Sequence, residues 1–337
     1  MQVIAFGIAL WVVCQMLLSL CTQYWQLFLC QGLGLGLAQG ILFNLAVSLP
    51  THWFQRRRAF ALGIQASGSS LGGAVLPIMA NRLLGQIGYP WTMRIFGFMG
   101  LVTLTGSYFI MNTRIAPIAT VHNGGWRRIQ WFDFSSLRIL SFDLFALGAA
   151  IIFLGLYNPF SYMDIFTTQY AVPASGYYLS ILNAASTFGR IVPGYFADRV
   201  GRFNMAVPHL AAASVLLFIF PLCTKIGGLV PFSILFGFTS GLYVSIVPAC
   251  LAQLGPIQTL GTRNGLAFAI ISFSGLVGTP IGGVLLGEPV ETMPGAPPTY
   301  AGWWRIMAFS GAVATVGTGL ILASRQVATK GRVWVKF

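Results

Sequence analysis

The sequence predicts an all-α polytopic membrane protein, and three observations support this prediction. Of the 337 residues, 56% are hydrophobic and 7% are charged, against roughly 25% charged residues in a soluble domain. Apolar runs of about 20 residues recur along nearly the whole chain, and each is long enough to cross a hydrocarbon core of ~30 Å. The alternating segments of ~10 residues that build a membrane β-barrel are not seen in the sequence. We therefore expect the chain to fold within a lipid bilayer.

Ten spans can be drawn in chain order, and most of them are separated by short polar connections. They cover residues 1–21, 25–50, 59–80, 91–112, 139–163, 175–197, 205–224, 229–254, 264–287 and 302–324. An even number of spans places both termini on the same side of the membrane.

The distribution of basic residues predicts which side that is. Fourteen Lys and Arg residues fall on alternate connections and on the C-terminal tail, whereas four fall on the other connections. Because cytoplasmic loops are enriched in Lys and Arg, both termini are predicted to be cytoplasmic. This rule also accounts for the net charge of +13, so no nucleic-acid partner is needed. We expect an integral multi-pass protein of the plasma membrane.

No motif for catalysis, metal binding or cofactor binding stands out. The five cysteines, Cys14, Cys21, Cys30, Cys223 and Cys250, show neither CxxC nor Cys/His spacing, so they indicate neither a disulfide framework nor a metal site. The segment GLGLGLAQG (32–40) is not a dinucleotide fingerprint, because no strand precedes it and no acidic residue follows within ~20 residues. We predict no enzyme activity and no cofactor.

An internal repeat relates the two ends of the chain. At a shift of 205 residues the matches include Gly32 with Gly237, Gly36 with Gly241, and Arg58 with Arg263, and at a shift of 211 they include Arg94 with Arg305 and Gly100 with Gly311. Spans two to four thus match spans eight to ten in the same membrane orientation, and span one matches span seven. Spans five and six have no counterpart. The pattern predicts a 6+6 parallel repeat whose first two helices are missing.

The repeat predicts four regions. Residues 1–112 form an N-terminal half of four spans, 113–138 a cytoplasmic linker, 139–324 a C-terminal half of six spans, and 325–337 a cytoplasmic tail. Within the linker, Trp126, Arg127, Arg128 and Trp131 are compatible either with a short interfacial helix or with a solvated segment.

Arg190 is the first functional candidate, because it lies inside an apolar span. It precedes Asp198 by eight residues, which places it roughly 12 Å from the charged end of a helix. An arginine in the hydrocarbon layer costs at least ~2.5–3.5 kcal/mol and needs a partner or a wet cavity. It either grips an anionic solute or bonds to backbone carbonyls as a structural group.

Other candidates are polar residues on the same face as Arg190, around the Asn158-Pro159 break in span five, or within spans two, three and eight. Each is equally compatible with helix packing or, for the tyrosines, with an interfacial aromatic belt. The candidates for solute contact are Asn183, Ser186, Asn44, Gln65, Tyr157, Asn158, Tyr162, Tyr243 and Ser245. Glycines spaced along spans two, three and nine predict close helix packing, and Pro77 and Pro280 predict local bends.

The turn that follows Arg190 carries a recognisable motif. Gly194, Asp198, Arg199, Gly201 and Arg202 fit G-x-x-x-D-R-x-G-R, in which the first glycine permits close helix approach and the aspartate pairs with a basic group or caps a neighbouring helix. The motif resembles the cytoplasmic loop of the major facilitator superfamily. The resemblance implies the major facilitator fold and a gating role for this turn.

Within that superfamily the chain resembles the fungal members of the monocarboxylate porter family over all ten spans. The resemblance rests on RRRAFALGIQASGSSLGGAVLP (56–77), LFGF with Gly241, LAQLGP (251–256), and LSIL with Arg190. It implies that Arg190 is the family's intramembrane arginine, implicated in holding an anion. Animal members carry an aspartate where this chain has Ser186, and fungal relatives are associated with riboflavin and secondary metabolites.

We therefore predict a secondary transporter that moves a small organic solute, anionic or aromatic, by rocking two halves around a central cavity. A proton is a possible second substrate, although the spans offer no obvious carboxylate to carry it. The alternatives are a secondary-metabolite efflux carrier of the same fold, a transporter-like sensor, and an inactive truncated fragment.

Overall fold

The computed structural model describes residues 2–112, 134–255, 259–289 and 299–332, and these residues are predominantly helical. Helices dominate because every backbone N–H and C=O inside a bilayer must be bonded within its own segment. By their contacts, residues 2–55 and 76–112 form one compact unit, and Arg56–Val75 together with the residues from 134 onward form another.

The first unit begins with α1, Gln2–Leu18, followed by α2, Tyr24–Trp53. The stretch Phe28–Leu35 of α2 is π-helical. A helical segment then runs over Arg58–Ile110, interrupted at Gly88, whose φ of 75° only glycine adopts readily. We name residues 58–87 α3 and residues 89–110 α4.

The second unit contains the start of α3 and all the described helices that follow α4. They are α5 (Leu140–Leu156), α6 (Asn158–Gln169), α7 (Tyr178–Val200), α8 (Arg202–Ile219), α9 (Ile226–Leu251), α10 (Leu260–Leu286) and α11 (Trp303–Ala328). The core is centred on α5 and α11, which cross through Gly148 and Gly317: a Cβ on Gly148 would lie 2.8 Å from the Gly317 oxygen.

A helix is found at each of the ten predicted spans, but several boundaries differ. Among the described residues, seven helical segments are long and apolar enough to cross a membrane; α1 is apolar but shorter, at 17 residues. The helix at the third span continues to Gly88, and α11 continues to Ala328, into the predicted tail. The predicted interfacial helix around Trp126 lies outside the described residues.

The internal repeat has a counterpart in helix packing. Gly100 on α4 lies against the Trp11 ring of α1, and a Cβ there would collide with it. Its repeat partner Gly311, on α11, lies against the Phe218 ring of α8, which a Cβ would approach to 2.6 Å. In both units, therefore, a matched glycine admits an aromatic ring from the matched helix.

The grouping of Arg56–Val75 with the C-terminal residues is a feature of the contacts within the second unit. Its physical cause is a set of contacts with α7. A Cβ on Gly194 would lie 2.9 Å from the Ala59 oxygen, and Gly63 lies directly against the backbone of Arg190. These small residues bring α3 and α7 close enough for side chains of one helix to bond to the backbone of the other.

Candidate substrate site and helix-capping motif

Arg190 lies at the contact between α7 and α3, with 7% of its surface exposed. Its Nη1 donates to the carbonyl oxygen of Ala66 and to the hydroxyl of Ser69. The Ala66 carbonyl can accept this bond because an oxygen has two lone pairs, and because small side chains on α3 leave its backbone accessible. The carbonyl contact is the structural arrangement that the sequence left open as an alternative.

The Nε of the same guanidinium, unlike Nη1, is not bonded to α3. This nitrogen is buried and has no hydrogen-bond partner in the structure. A buried donor without a partner costs about 1–3 kcal/mol, and more when charged. Since the guanidinium has five N–H donors in one plane, Nε retains a free donor while Nη1 holds the head group in place. This arrangement is chemically suited to a carboxylate or another anionic oxygen.

Tyr157 lies within electrostatic reach of Arg190. It occupies the break between α5 and α6, where Pro159 begins the second helix. Its ring centroid is 4.7 Å from that of Phe153 and 5.3 Å from that of Phe160. The structure thus brings together one cationic and one phenolic candidate, beside apolar rings.

Ser186 and Asn183 lie on the face of α7 that meets other helices. Ser186 is fully buried, and its hydroxyl accepts from that of Ser70 at 3.1 Å. The Asn183 amide donates to the Leu179 oxygen at 3.0 Å, and a Cβ on Gly73 would lie 2.7 Å from its Oδ1. These contacts support the packing interpretation of both residues.

Most aromatic and amide candidates outside α7 tie helices together. The Asn158 amide donates to the Ser310 hydroxyl at 2.7 Å, and the Tyr162 hydroxyl donates to the Thr279 oxygen at 2.8 Å. The Tyr243 hydroxyl donates to the Ala149 oxygen at 2.8 Å, and the buried Ser245 bonds within its own helix. These bonds support the packing interpretation, although the Oδ1 of Asn158 is buried and has no hydrogen-bond partner among the described residues.

For the Asn44 and Gln65 side chains, the described residues provide no such partner. Asn44 lines an open groove of about 620 Å³ in the first unit, and its Oδ1 is buried with no hydrogen bond. Gly36 and Gly40 line the same groove, and among the described residues no heavy atom lies within 4 Å of a Cβ placed on either. Within the described part of the chain, the packing predicted for this stripe is therefore found at Gly34, which meets Cys14 of α1. Gln65 on α3 is half-buried.

Asp198 caps the start of α3. Its Oδ1 accepts from the Ala59 amide at 3.1 Å and its Oδ2 accepts from the Phe60 amide at 2.9 Å. The first amides of a helix have no partner within the helix and carry the positive end of its dipole, so a carboxylate satisfies both needs. Of the two roles that the sequence suggested for Asp198, capping a neighbouring helix is the one these two hydrogen bonds show.

Basic residues surround this cap. Arg202 lies 3.5 Å from the Asp198 carboxylate and also donates to the Ala249 oxygen at 3.1 Å. Arg58 is within electrostatic reach of both. Gly201 makes the turn at φ 119°, which a side chain rarely tolerates, and Arg199 stacks over the Tyr195 ring at 4.3 Å. Each residue of the motif thus has a separate structural task.

The family model of the Major Facilitator Superfamily matches residues 1–282. The chain belongs to this superfamily. Its members are transporters rather than enzymes, and they carry small-molecule solutes across membranes. The predicted major facilitator fold is thereby confirmed, together with an integral multi-pass membrane location.

Several fungal transporters are similar to the chain over most of its length. An MFS-type transporter of Gibberella moniliformis is 36% identical, covering 95% of this chain and 74% of the relative. A fujikurins efflux protein of Gibberella fujikuroi is 33% identical, covering 94% and 66%, and an aspyridones efflux protein of Emericella nidulans is 30% identical, covering 94% and 62%.

Solved structures agree on the fold. The outward conformation of FucP, a major facilitator transporter, superposes with a TM-score of 0.64 at 16% identity, covering 95% of this chain and 82% of that one. A bacterial homologue of the lysosomal transporter Spinster, inward-facing, gives 0.60 at 16% identity, covering 98% and 84%.

Two features of the structure, one at the Arg190 site and one in the first unit, escaped sequence reasoning. Ser69 and the Ala66 carbonyl, which anchor Arg190, lie in the GIQASGSS stretch that indicated only packing. A signal for them existed, because an intramembrane arginine needs acceptors and this stretch exposes its backbone through small residues. The second is the thiol pair Cys21 and Cys30, whose sulfurs lie 3.8 Å apart. Among the described residues, no group of three or more His, Cys, Asp or Glu side chains is arranged to hold a metal ion.

Proposed function

We propose that this chain is an efflux carrier for a small anionic secondary metabolite, in the fungal branch of the monocarboxylate porter family. The superfamily makes it a transporter. The efflux direction and the solute class rest on the relatives, two of which are named as efflux proteins for fujikurins and aspyridones.

The observation that carries the anionic solute is the Nε of Arg190. A purely structural arginine in a membrane core would use all of its donors, because each unpaired one is costly there. Here Nη1 is fixed on α3, and among the described residues Nε has no hydrogen-bond partner. Tyr157 adds a hydroxyl on the edge of an aromatic cluster, suited to the carbonyl or ring of an aromatic acid.

Transport in this proposal proceeds by alternating access, with both termini in the cytoplasm of the plasma membrane. The Asp198 cap is a contact between α7 and α3 that consists of two hydrogen bonds, donated to the carboxylate by the Ala59 and Phe60 amides, with Arg202 nearby. Because both hydrogen bonds share one carboxylate, the contact forms or breaks as a unit. That makes it suitable as the gating element at the end of α7. Asn44 and Gln65 are additional candidates for solute contact.

Transport by cells or proteoliposomes tests the role of Arg190. We expect Arg190→Met to lower the efflux of an anionic aromatic acid at least about tenfold, because a charged hydrogen bond is worth ~1.5–3 kcal/mol. Arg190→Lys keeps the charge but not the planar donor fork, so it should restore only part of the rate. Arg82→Met, an exposed arginine away from this site, is the matched control and should leave efflux unchanged.

A second measurement separates binding from folding. The solute should raise the thermal unfolding midpoint of the purified wild type and of Arg82→Met, but not that of Arg190→Met. Equal efflux and equal ligand stabilisation in Arg190→Met would show that the arginine is structural only. Absence of flux for any solute, with ligand stabilisation retained, would favour the sensor alternative.

A further inference from the structure

A cluster of three thiols lies at one end of the first unit. Cys21 follows the end of α1, Cys30 lies in the π-helical part of α2, and Cys14 is on α1. The Cys21 and Cys30 sulfurs are 3.8 Å apart. Cys14 is buried within the apolar cluster that also contains Leu18 and Leu35.

The connection between α1 and α2 is held by its own hydrogen bonds. The Gln26 side chain accepts from the Thr22 amide at 2.9 Å and from the Gln23 amide at 3.2 Å. The Cys21 thiol donates to the Leu17 oxygen at 3.4 Å. These bonds fix the path of the chain on both sides of Cys21, so the short sulfur–sulfur distance follows from the fold of the connection.

The pair also lies next to the exposed residues of the connection between α1 and α2. Residues 22–25 are exposed, with Tyr24 at 82% and Trp25 at 57%. A tyrosine and a tryptophan at a helix start are typical of the membrane–water interface. Cys30 is six residues beyond Tyr24 along α2, and Cys21 and Cys30 are both half-buried. Cys14, in contrast, has 8% of its surface exposed.

We propose that Cys21 and Cys30 form a reversible disulfide when a small disulfide oxidant reaches this connection. The Cys21 thiolate attacks one sulfur of the oxidant, RSSR, and releases RS⁻. The Cys30 thiolate then attacks the Cys21 sulfur of the mixed disulfide and releases the second RS⁻. The two released thiolates take up the two protons lost by the cysteines, so the net products are one protein disulfide and two RSH.

Forming this disulfide requires the two sulfurs to move closer from their separation of 3.8 Å. A disulfide needs a sulfur–sulfur distance near ~2.05 Å, so the two sulfurs must approach by rotation of their side chains. The bond joins the end of α1 to the π-helical stretch of α2, which lies beside the groove lined by Gly32 and Gly36. Oxidation therefore fixes one end of this stretch, and reduction releases it.

Thiol counting on the purified full chain in detergent tests the proposal. After incubation with oxidised glutathione, blocking and denaturation, we expect the five thiols of the wild type to fall to three, since the new bond uses two. Peptide mass spectrometry should find residues 21 and 30 joined with the loss of two hydrogens. Dithiothreitol should restore all five.

Single substitutions provide the controls. Cys21→Ser and Cys30→Ser each leave four thiols, and all four should survive oxidation. Cys14→Ser also leaves four, of which two should be lost, because Cys14 takes no part. The proposal is overturned if the wild type keeps five thiols at every oxidant ratio, if glutathione adds to Cys21 without internal pairing, or if Cys14→Ser blocks the reaction.

Discussion

Two stretches related by the internal repeat, one on α2 and one on α9, carry the same glycines in different surroundings. On α9, Gly237 lies against the backbone of Leu182, and a Cβ on Gly241 would lie 2.7 Å from the Ser186 oxygen. On α2, Gly36 meets no heavy atom within 4 Å, and Gly32 meets only the Phe28 ring of its own helix. The covered stretch is packed by α7, which has no counterpart among the described helices of the first unit.

This difference shows that a stripe of small residues allows two helices to pack closely but does not by itself make them pack. Glycines let two helix backbones approach, but association also needs a partner of matching shape, because lipid tails compete equally well for apolar surface. On α9 the partner is α7; on α2 the same pattern borders a groove of about 620 Å³. The stripe therefore tells where a helix can pack, and the tertiary structure tells whether one does.

The largest expected effect is at the covered glycine. Gly241→Leu would force a side chain against the backbone of Ser186, and overpacking of this kind costs on the order of 3 kcal/mol. We expect the thermal unfolding midpoint of the purified protein to fall by about 5–10 °C. Gly241→Ala, a smaller change at the same place, should lower it less. An unchanged midpoint for both would contradict the packing of α7 on α9.

A smaller loss of stability is expected at the charged end of α7, where Asp198 contacts α3. This variant tests the second contact of α7, the helix that covers the glycines of α9. Asp198→Asn removes the negative charge from the cap on Ala59 and Phe60, with an expected cost of about 1 kcal/mol. Hydrogen exchange at the first turn of α3 should increase. Asp164→Asn is the matched control, because Asp164 is exposed and accepts from the Thr167 and Thr168 hydroxyls through its backbone oxygen, which the substitution keeps.

The smallest effect is expected at the open glycine. Gly36→Leu adds a side chain where nothing lies within 4 Å, so its effect on stability should stay within about 0.5 kcal/mol. The measurement is the same unfolding midpoint, compared directly with Gly241→Leu. A loss as large as at Gly241 would mean that another helix covers the groove in the purified protein, and the contrast between the two stretches would disappear.

Much of the site followed from residue chemistry alone. Arg190 stands out because a cation in an apolar span is costly. Asp198 stands out because a carboxylate can stabilise the N-terminal end of a neighbouring helix. What the sequence did not supply was the acceptor of each: Ala66 and Ser69 for Arg190, and the amides of Ala59 and Phe60 for Asp198. Backbone groups carry no side-chain signature, so such partners are not visible before the helices are packed.

By itself, the sequence determined the membrane fold, the approximate helices and the repeat, because these depend on local hydrophobicity and on spacing along one chain. Only the tertiary structure decided which polar residues remain available. Within the described residues, it tied the Asn158 amide nitrogen and the Tyr162 and Tyr243 hydroxyls to neighbouring helices. It left the Nε of Arg190 and the Oδ1 atoms of Asn44 and Asn158 without hydrogen-bond partners there, and it brought Cys21 to Cys30. The reason is physical: a polar group in a membrane takes whichever partner packing brings within ~3 Å, and residues far apart in sequence supply that partner.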